Sequence, residues 1–287
     1  MQDTDIQIWR PGILRNTDYL NPGPAKLLAA TLDKDIENFK EGAILPELWH
    51  WLYFLPADRQ SDLSVDGHPI KGHFLPPVDL PRRMWASSQM TWNTSFLLGE
   101  KVEKTSRVKE ILEKRGSSGK LVFVNVEHLY RSNERDIMTE VHTIVYCEAV
   151  TSHKKHKKHK KHKKKASYDV PQEQFSHKIK PDPPLLFRYS ALTFNTHRIH
   201  YDLDYVRNEE GYPGLVVQGP LTATLLVDLL KNNRPDVTIR NLQFRAISPL
   251  FSPDPIRLCG RVDGDVATLW AAGPDNYISM KATVLVY

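Results

Sequence analysis

The feature that most limits the fold is a thirteen-residue run near the middle of the chain, "HKKHKKHKKHKKK", His153 to Lys165. It contains nine lysines and four histidines and nothing apolar. Such a run repels itself and has no surface to bury, so it reads as a disordered linker. The core must therefore come from the two flanks. The expected units are an N-terminal domain over residues 1–150, a linker over 151–177 and a C-terminal domain over 178–287.

The linker also explains the charge. The net charge is +5, and removing the nine lysines gives 5 − 9 = −4, so the flanks together are mildly acidic. A basic balance confined to one tract is not the footprint of a folded nucleic-acid binder. The tract would hold polyanions in a salt-dependent way with little specificity, and it lacks interleaved aromatics for base stacking. No specific nucleic-acid partner is expected. Two cysteines, Cys147 and Cys259, make no disulfide framework. No eighteen-residue apolar run is present, so no membrane span is expected. The opening "MQDTDIQIWRPG" does not read as a signal or transit peptide.

The C-terminal flank is the clearer of the two. "LLFRYSALTF" (Leu185–Phe194) starts like a strand. "GPLTATLLVDLLKNN" (Gly219–Asn233) is a helix with Leu221, Leu225 and Leu229 on one side and only Asp228 and Lys231 charged. That composition predicts a largely buried helix. Four strand candidates follow: "TIRNLQFRAISPLF", "DPIRLCGRVDG", "VATLWAAG" and "YISMKATVLVY". In the last, Met280, Ala282, Val284 and Val286 share a face. The N-terminal flank repeats the order of helix ("AKLLAATLD") and then meander, with Val122, Val124 and Val126 alternating. A sheet curled around a helix, present twice, is an α+β arrangement and hints at duplication.

Two segments carry candidate chemistry. "TFNTHRIHYD" (Thr193–Asp202) gathers Asn195, His197, Arg198 and His200. The bland reading is a capped helix start, with Asn195 or Asp202 as cap. A metal site lacks a third ligand at recognisable spacing, so none is expected. "GYPGLVVQGPL" runs into the buried helix, and its Gly219 N–H stands at the positive end of the helix dipole. Histidine is suited to base catalysis, and a helix-start N–H is suited to a developing oxyanion.

Together, "RYSALTFNTHRIHYDLDYVRNEEGYPGLVVQGPLTATLL", "WHWLYFLP", "GHFLPPVDLPRRMWA" and "LVFVNVEH" resemble the MaoC-like double hot-dog hydratases. They are most similar to the branch of fungal hydroxyacyl-thioester dehydratase type 2 and of itaconyl- and mesaconyl-C4-CoA hydratases. The resemblance implies two antiparallel sheets, each wrapped around a central helix. It also implies a hydro-lyase that adds or removes water at the α,β-bond of a 3-hydroxyacyl or 2-enoyl thioester. The alternatives are a hydratase of itaconyl- or mesaconyl-C4-CoA and a hot-dog thioesterase. The substrate is a CoA or acyl-carrier-protein thioester, and no cofactor is needed. The resemblance further implies a homodimer, and a mitochondrial setting by the fungal relatives, with the cytoplasm as alternative.

The common MaoC motif, Asp-x-Asn-Pro-x-His, puts its histidine on His200 and its aspartate on Asn195, a departure shared with the fungal branch. His200 is then the expected base, Asn195 orients water, His197 is a candidate second group and Gly219 holds the thioester oxygen. Arg198 is a candidate for CoA phosphates or a substrate carboxylate. Arg82 and Arg83 are further candidates for a carboxylate. The N-terminal unit, whose His50 sits between tryptophans, is expected to shape the pocket without doing chemistry.

Overall fold

A computed structural model gives the positions of residues 6–116, 119–148 and 170–287. Most of the linker, including the His153–Lys165 tract, lies outside the described residues. The linker's far boundary falls earlier than residue 177, because strand pairing begins at Phe175.

Among the described residues, ten strands form one antiparallel sheet. They are β1 (Leu14–Tyr19), β2 (Arg82–Trp92), β3 (Lys101–Gly116), β4 (Gly119–Ser132), β5 (Arg135–Cys147), β6 (Phe175–Ile179), β7 (Ile239–Ala246), β8 (Ile256–Asp263), β9 (Val266–Ala272) and β10 (Ile278–Val286). Their order is β1-β3-β4-β5-β2-β7-β10-β9-β8-β6. Counted within its own half, each set of five has the order 1-3-4-5-2, and the halves join through their second strands, β2 and β7. Asn241 Nδ2 donates to Thr91 Oγ1 at 2.7 Å across that seam. The duplication hinted at by element order is thus present in the topology.

Four α-helices are described: α1 (Pro22–Thr31), α2 (Pro183–Leu192), α3 (Leu203–Asn208) and α4 (Gly219–Asn233). The expected buried helix is α4. It packs against β6, β8, β9 and β10, with Leu221, Leu226 and Leu230 fully enclosed. The alternating face of β10 (Met280, Ala282, Val284, Val286) is buried as its pattern requires.

Two expectations change. "LLFRYSALTF" is the body of α2 rather than a strand. Asp182 caps it by accepting from the Leu185 N–H at 2.9 Å, and Pro183 takes the first helical position. Cap plus proline is a strong helix start, which the apolar run conceals. The second change concerns α1. By topology its counterpart is α2, since both are ten-residue, proline-initiated helices following the first strand of their half, and the two pack together. Between α1 and β2 the described chain has only turns and short 3-10 helices, so the N-terminal half has no counterpart of α4. The 3-10 helix Trp49–Leu52 packs on β5 instead. Glu140 of β5 accepts from His50 Nε2 and Trp51 Nε1, both at 3.1 Å. Farther along the same face of that half, Val122, Val124 and Val126 meet Val78 and Leu80 of the segment preceding β2.

Candidate active site

Thr193 to His200 is shaped by its own side chains. Asn195 N–H donates to Ser190 O at 2.8 Å beyond the end of α2. Asn195 Oδ1 accepts from the His197 N–H at 3.0 Å, an Asx turn that aims the following residues. A 3-10 turn, Arg198–His200, follows. Asp202 then caps α3 by accepting from the Tyr205 N–H at 2.9 Å. The helix-capping reading therefore holds for Asp202, whereas the histidines face inward.

They face a cavity of about 490 Å³ between the two halves. The C-terminal half contributes Asn195, His197, His200 and Gly219, and the N-terminal half contributes His68 and Arg83. His200 Nδ1 lies 2.7 Å from Val216 O. A carbonyl only accepts, so Nδ1 carries the proton and Nε2 keeps its lone pair. Burial, with a smaller push from nearby His68, lowers the His200 pKa to about 4 despite that hydrogen bond. The ring is thus a neutral base at pH 7. Val216 also leads to α4, so the same short segment fixes His200 and, three residues later, Gly219. The Gly219 N–H has no acceptor among the described residues. Asn195 spends its oxygen on the turn, so it offers the cavity an N–H donor; it can hold a water or a substrate oxygen but cannot take a proton.

Arg198 is not in the cavity. Its Nε and Nη2 donate to Asp202 Oδ2 at 3.0 and 2.8 Å, its Nη1 to Val65 O at 3.1 Å, and its guanidinium lies over the Tyr205 ring. It clamps the turn, which corrects its expected substrate-binding place. Arg82 is likewise committed, to Glu210 and Tyr212. Arg83 does line the cavity.

His68 and Asp66 carried no local signal in the sequence. They arrive on a loop of the N-terminal half that docks against the Thr193–Asp202 segment. Asp66 O accepts from the Arg198 N–H at 2.9 Å, and Gly67 O accepts from the Thr196 hydroxyl at 2.6 Å. Gly67 has φ +87°, and a Cβ there would stand 1.9 Å from the Thr196 carbonyl oxygen. Only glycine permits that approach. The His68 ring lies 4.0 Å, centroid to centroid, from that of His197, which lies 5.5 Å from that of His200. Asp66 Oδ2 is 2.9 Å from His68 Nδ1, and Oδ1 accepts from the His68 N–H and the Ser64 hydroxyl. Burial raises the Asp66 pKa, but the hydrogen bonds and charge of His68 outweigh it and hold the carboxyl below the usual range. Burial pushes His68 down, against the pull of Asp66.

Asp66, His68 and His197 each place one ligating atom within 4.8 Å of the others, a set that can surround a cation. The carboxylate is, however, already engaged at both oxygens by Ser64 and His68. That pattern is a hydrogen-bonded dyad more than a vacant ligand set.

A second polar group lies toward the N-terminal end of the cavity. Glu140, fully buried, also accepts from Tyr130 Oη at 3.2 Å, and His142 Nε2 stands 2.5 Å from it. Burial raises its pKa, but His142 and His50 hold it well below the usual carboxylate range. Lys104 lines the cavity nearby, over the rings of Phe54 and Tyr130.

Comparison with known proteins identifies the family. The family model for hydroxyacyl-thioester dehydratase type 2 matches residues 48–252, spanning His50, His68 and the whole Asn195–Gly219 constellation. The chain belongs to the hydroxyacyl-thioester dehydratase type 2 family. Members are hydro-lyases of acyl thioesters, and so is this chain. It is 39% identical over 288 residues to mesaconyl-C(4)-CoA hydratase of Chloroflexus aurantiacus, covering 99% of both chains. It is 27% identical to the mitochondrial hydroxyacyl-thioester dehydratase type 2 of Schizosaccharomyces pombe, over 84% of this chain and 88% of the other. Among solved structures, a MaoC-like dehydratase superposes with a TM-score of 0.71 at 13% identity, over 98% of this chain and 99% of the other. That likeness establishes the double hot-dog fold for this chain. No helix among the described residues is long and apolar enough to cross a membrane.

Proposed function

We propose that this hydro-lyase acts on a short α,β-unsaturated acyl-CoA whose acyl group carries a free carboxylate, of the mesaconyl-C4 type. The observation that carries this reading is Arg83. It lines the cavity, close enough to Tyr146 for its charge to be felt there, and among the described residues no ion pair with a carboxylate is formed by it. A cation left without a carboxylate in a substrate cavity suits an anionic substrate group. The 39% identity to a mesaconyl-C(4)-CoA hydratase supports the same choice.

In hydration, the water oxygen adds to the β-carbon as His200 Nε2 takes a proton from it. The electron pair of the double bond moves toward the thioester, whose oxygen gathers charge at the Gly219 N–H. Asn195 holds the water through its amide N–H. His197 stands beside His200. The chemistry needs only an acyl thioester and water, and is therefore indifferent to compartment.

A second reading, a 3-hydroxyacyl thioester without the extra carboxylate, is favoured by the apolar part of the cavity wall, including Trp85, Val145, Leu250 and Met280. A panel of mesaconyl-C4-, itaconyl-, crotonyl- and longer enoyl-CoA separates the two. Arg83→Leu should lower kcat/KM for the dicarboxylyl substrates by about 100-fold, as loss of a partner for a desolvated charge does, and leave crotonyl-CoA nearly unchanged. Equal turnover of crotonyl- and mesaconyl-C4-CoA by the parent enzyme would defeat the dicarboxylate reading. Release of free CoA without water addition would point to a thioesterase.

A further inference from the structure

The site leaves one chemical role unfilled. Reversible dehydration needs a group that takes the proton from the α-carbon and gives it back. Asn195 stands where the MaoC-like motif has a carboxylate, and it has neither charge nor a free lone pair on nitrogen. From the placement of the Asp66 loop we infer that His68, oriented by Asp66, exchanges the α-carbon proton, so that the N-terminal half supplies one of the two acid–base groups of the reaction. This inference rests on the hydro-lyase reading above.

Four observations carry it. His68 lines the same cavity as His200. Its Nδ1 is tied to a carboxylate at 2.9 Å, which fixes the tautomer with the proton on Nδ1 and leaves Nε2 as the basic nitrogen. Asp66 adds negative charge behind the ring, which stabilises the imidazolium once a proton arrives. The loop is locked to the catalytic segment through Asp66 O and Gly67 O, so His68 keeps a set distance from His197 and His200.

The electron and proton balance is complete. In dehydration, Nε2 of His68 removes the α-proton, and the C–H pair moves into the bond between the α-carbon and the thioester carbon. The thioester oxygen becomes an enolate at the Gly219 N–H. That pair then returns to form the double bond as the β-carbon to oxygen bond breaks. The abstracted proton passes from His68 through His197 to His200 and leaves on the hydroxyl, so one water forms and all three histidines end neutral. Hydration is the reverse. The ring separations of 4.0 and 5.5 Å place His197 between the other two. It is a positioning and relay residue in this scheme, while His68 and His200 touch the reacting atoms.

The test uses the full-length enzyme and mesaconyl-C4-CoA, with crotonyl-CoA as second probe. His68→Gln should lower kcat by roughly 100-fold or more, the usual scale for a general acid–base group. KM should stay within about threefold when binding contacts are kept. Asp66→Asn should lower kcat by roughly tenfold or more, because the ring loses its charged partner and its fixed tautomer. His68→Ala should regain turnover when imidazole is added, a response that a packing role would not give. Parent-like kcat in both His68→Gln and Asp66→Asn would overturn the inference while leaving the hydro-lyase reading standing. Loss of activity on EDTA with recovery on a divalent cation would overturn it in favour of a metal on the same side chains. A parent enzyme inactive on every enoyl-CoA would remove both readings together.

Discussion

At the scale of single residues, the site shows how burial sets protonation. His200 is held neutral because its ring is enclosed and its Nδ1–H is used by Val216 O. The predicted consequence is kinetic. His200→Ala should cost roughly 100-fold or more in hydration, in the range for a general base, and a loss below tenfold in a folded variant would remove the assignment. His197→Ala should cost less, since its ring serves between two others. Residue types were enough to point to Asn195, His197 and His200, because the three lie within six positions and the local turn brings them together. They were not enough for Arg198. A guanidinium next to a histidine pair looks like a ligand for phosphate or carboxylate, yet Asp202 four residues on takes it as an ion pair at 2.8 Å. Sequence reveals charge near a site but not which neighbour neutralises it.

At the scale of elements, α4 does two tasks. Its apolar side fills the C-terminal half, and its first N–H is presented to the cavity. Because Pro220 already lacks a donor, Gly219 holds much of what the helix start can offer. Gly219→Pro removes that donor at a helix position where proline is well tolerated. The variant should fold with a melting temperature near that of the parent and lose about 100-fold or more in kcat, the typical cost of deleting one oxyanion donor. A parent-like kcat would show that the thioester oxygen is held elsewhere. The helix was legible from its leucine spacing. Helix α2 was not, because "LLFRYSAL" is apolar enough for a buried strand and its start signal lies outside the run, at Asp182 and Pro183. The missing counterpart of α4 in the N-terminal half was also hidden. Its short helix has the right period, but only the topology shows that it matches α2.

At the scale of the whole molecule, the interior holds several histidines with depressed pKa values: His50, His68, His128, His197 and His200. Burial is the first cause in each. The unfolded chain protonates its histidines near pH 6.5, while folded His200 waits until about 4. Between those values the unfolded state binds more protons, so stability is full above about pH 6.5 and falls as the pH drops toward 4. For His200 alone the full effect is on the order of 3 kcal/mol. Urea midpoints measured at pH 7 and pH 5 should therefore decrease with acid, and an unchanged midpoint would contradict neutral burial. Readings that needed no tertiary contact were local. Period and punctuation located the C-terminal strands and the buried helix, while the expected linker tract lies outside the described residues. One ten-residue segment fixed three of the groups at the site. Tertiary structure alone decided the rest: the seam between β2 and β7, the cavity between the halves, and the meeting of Asp66 and His68 with His197. Those partners are about 130 positions apart, and no local pattern encodes such a contact. It exists because two five-stranded halves close on each other and Gly67 lets one loop reach the backbone of the other half.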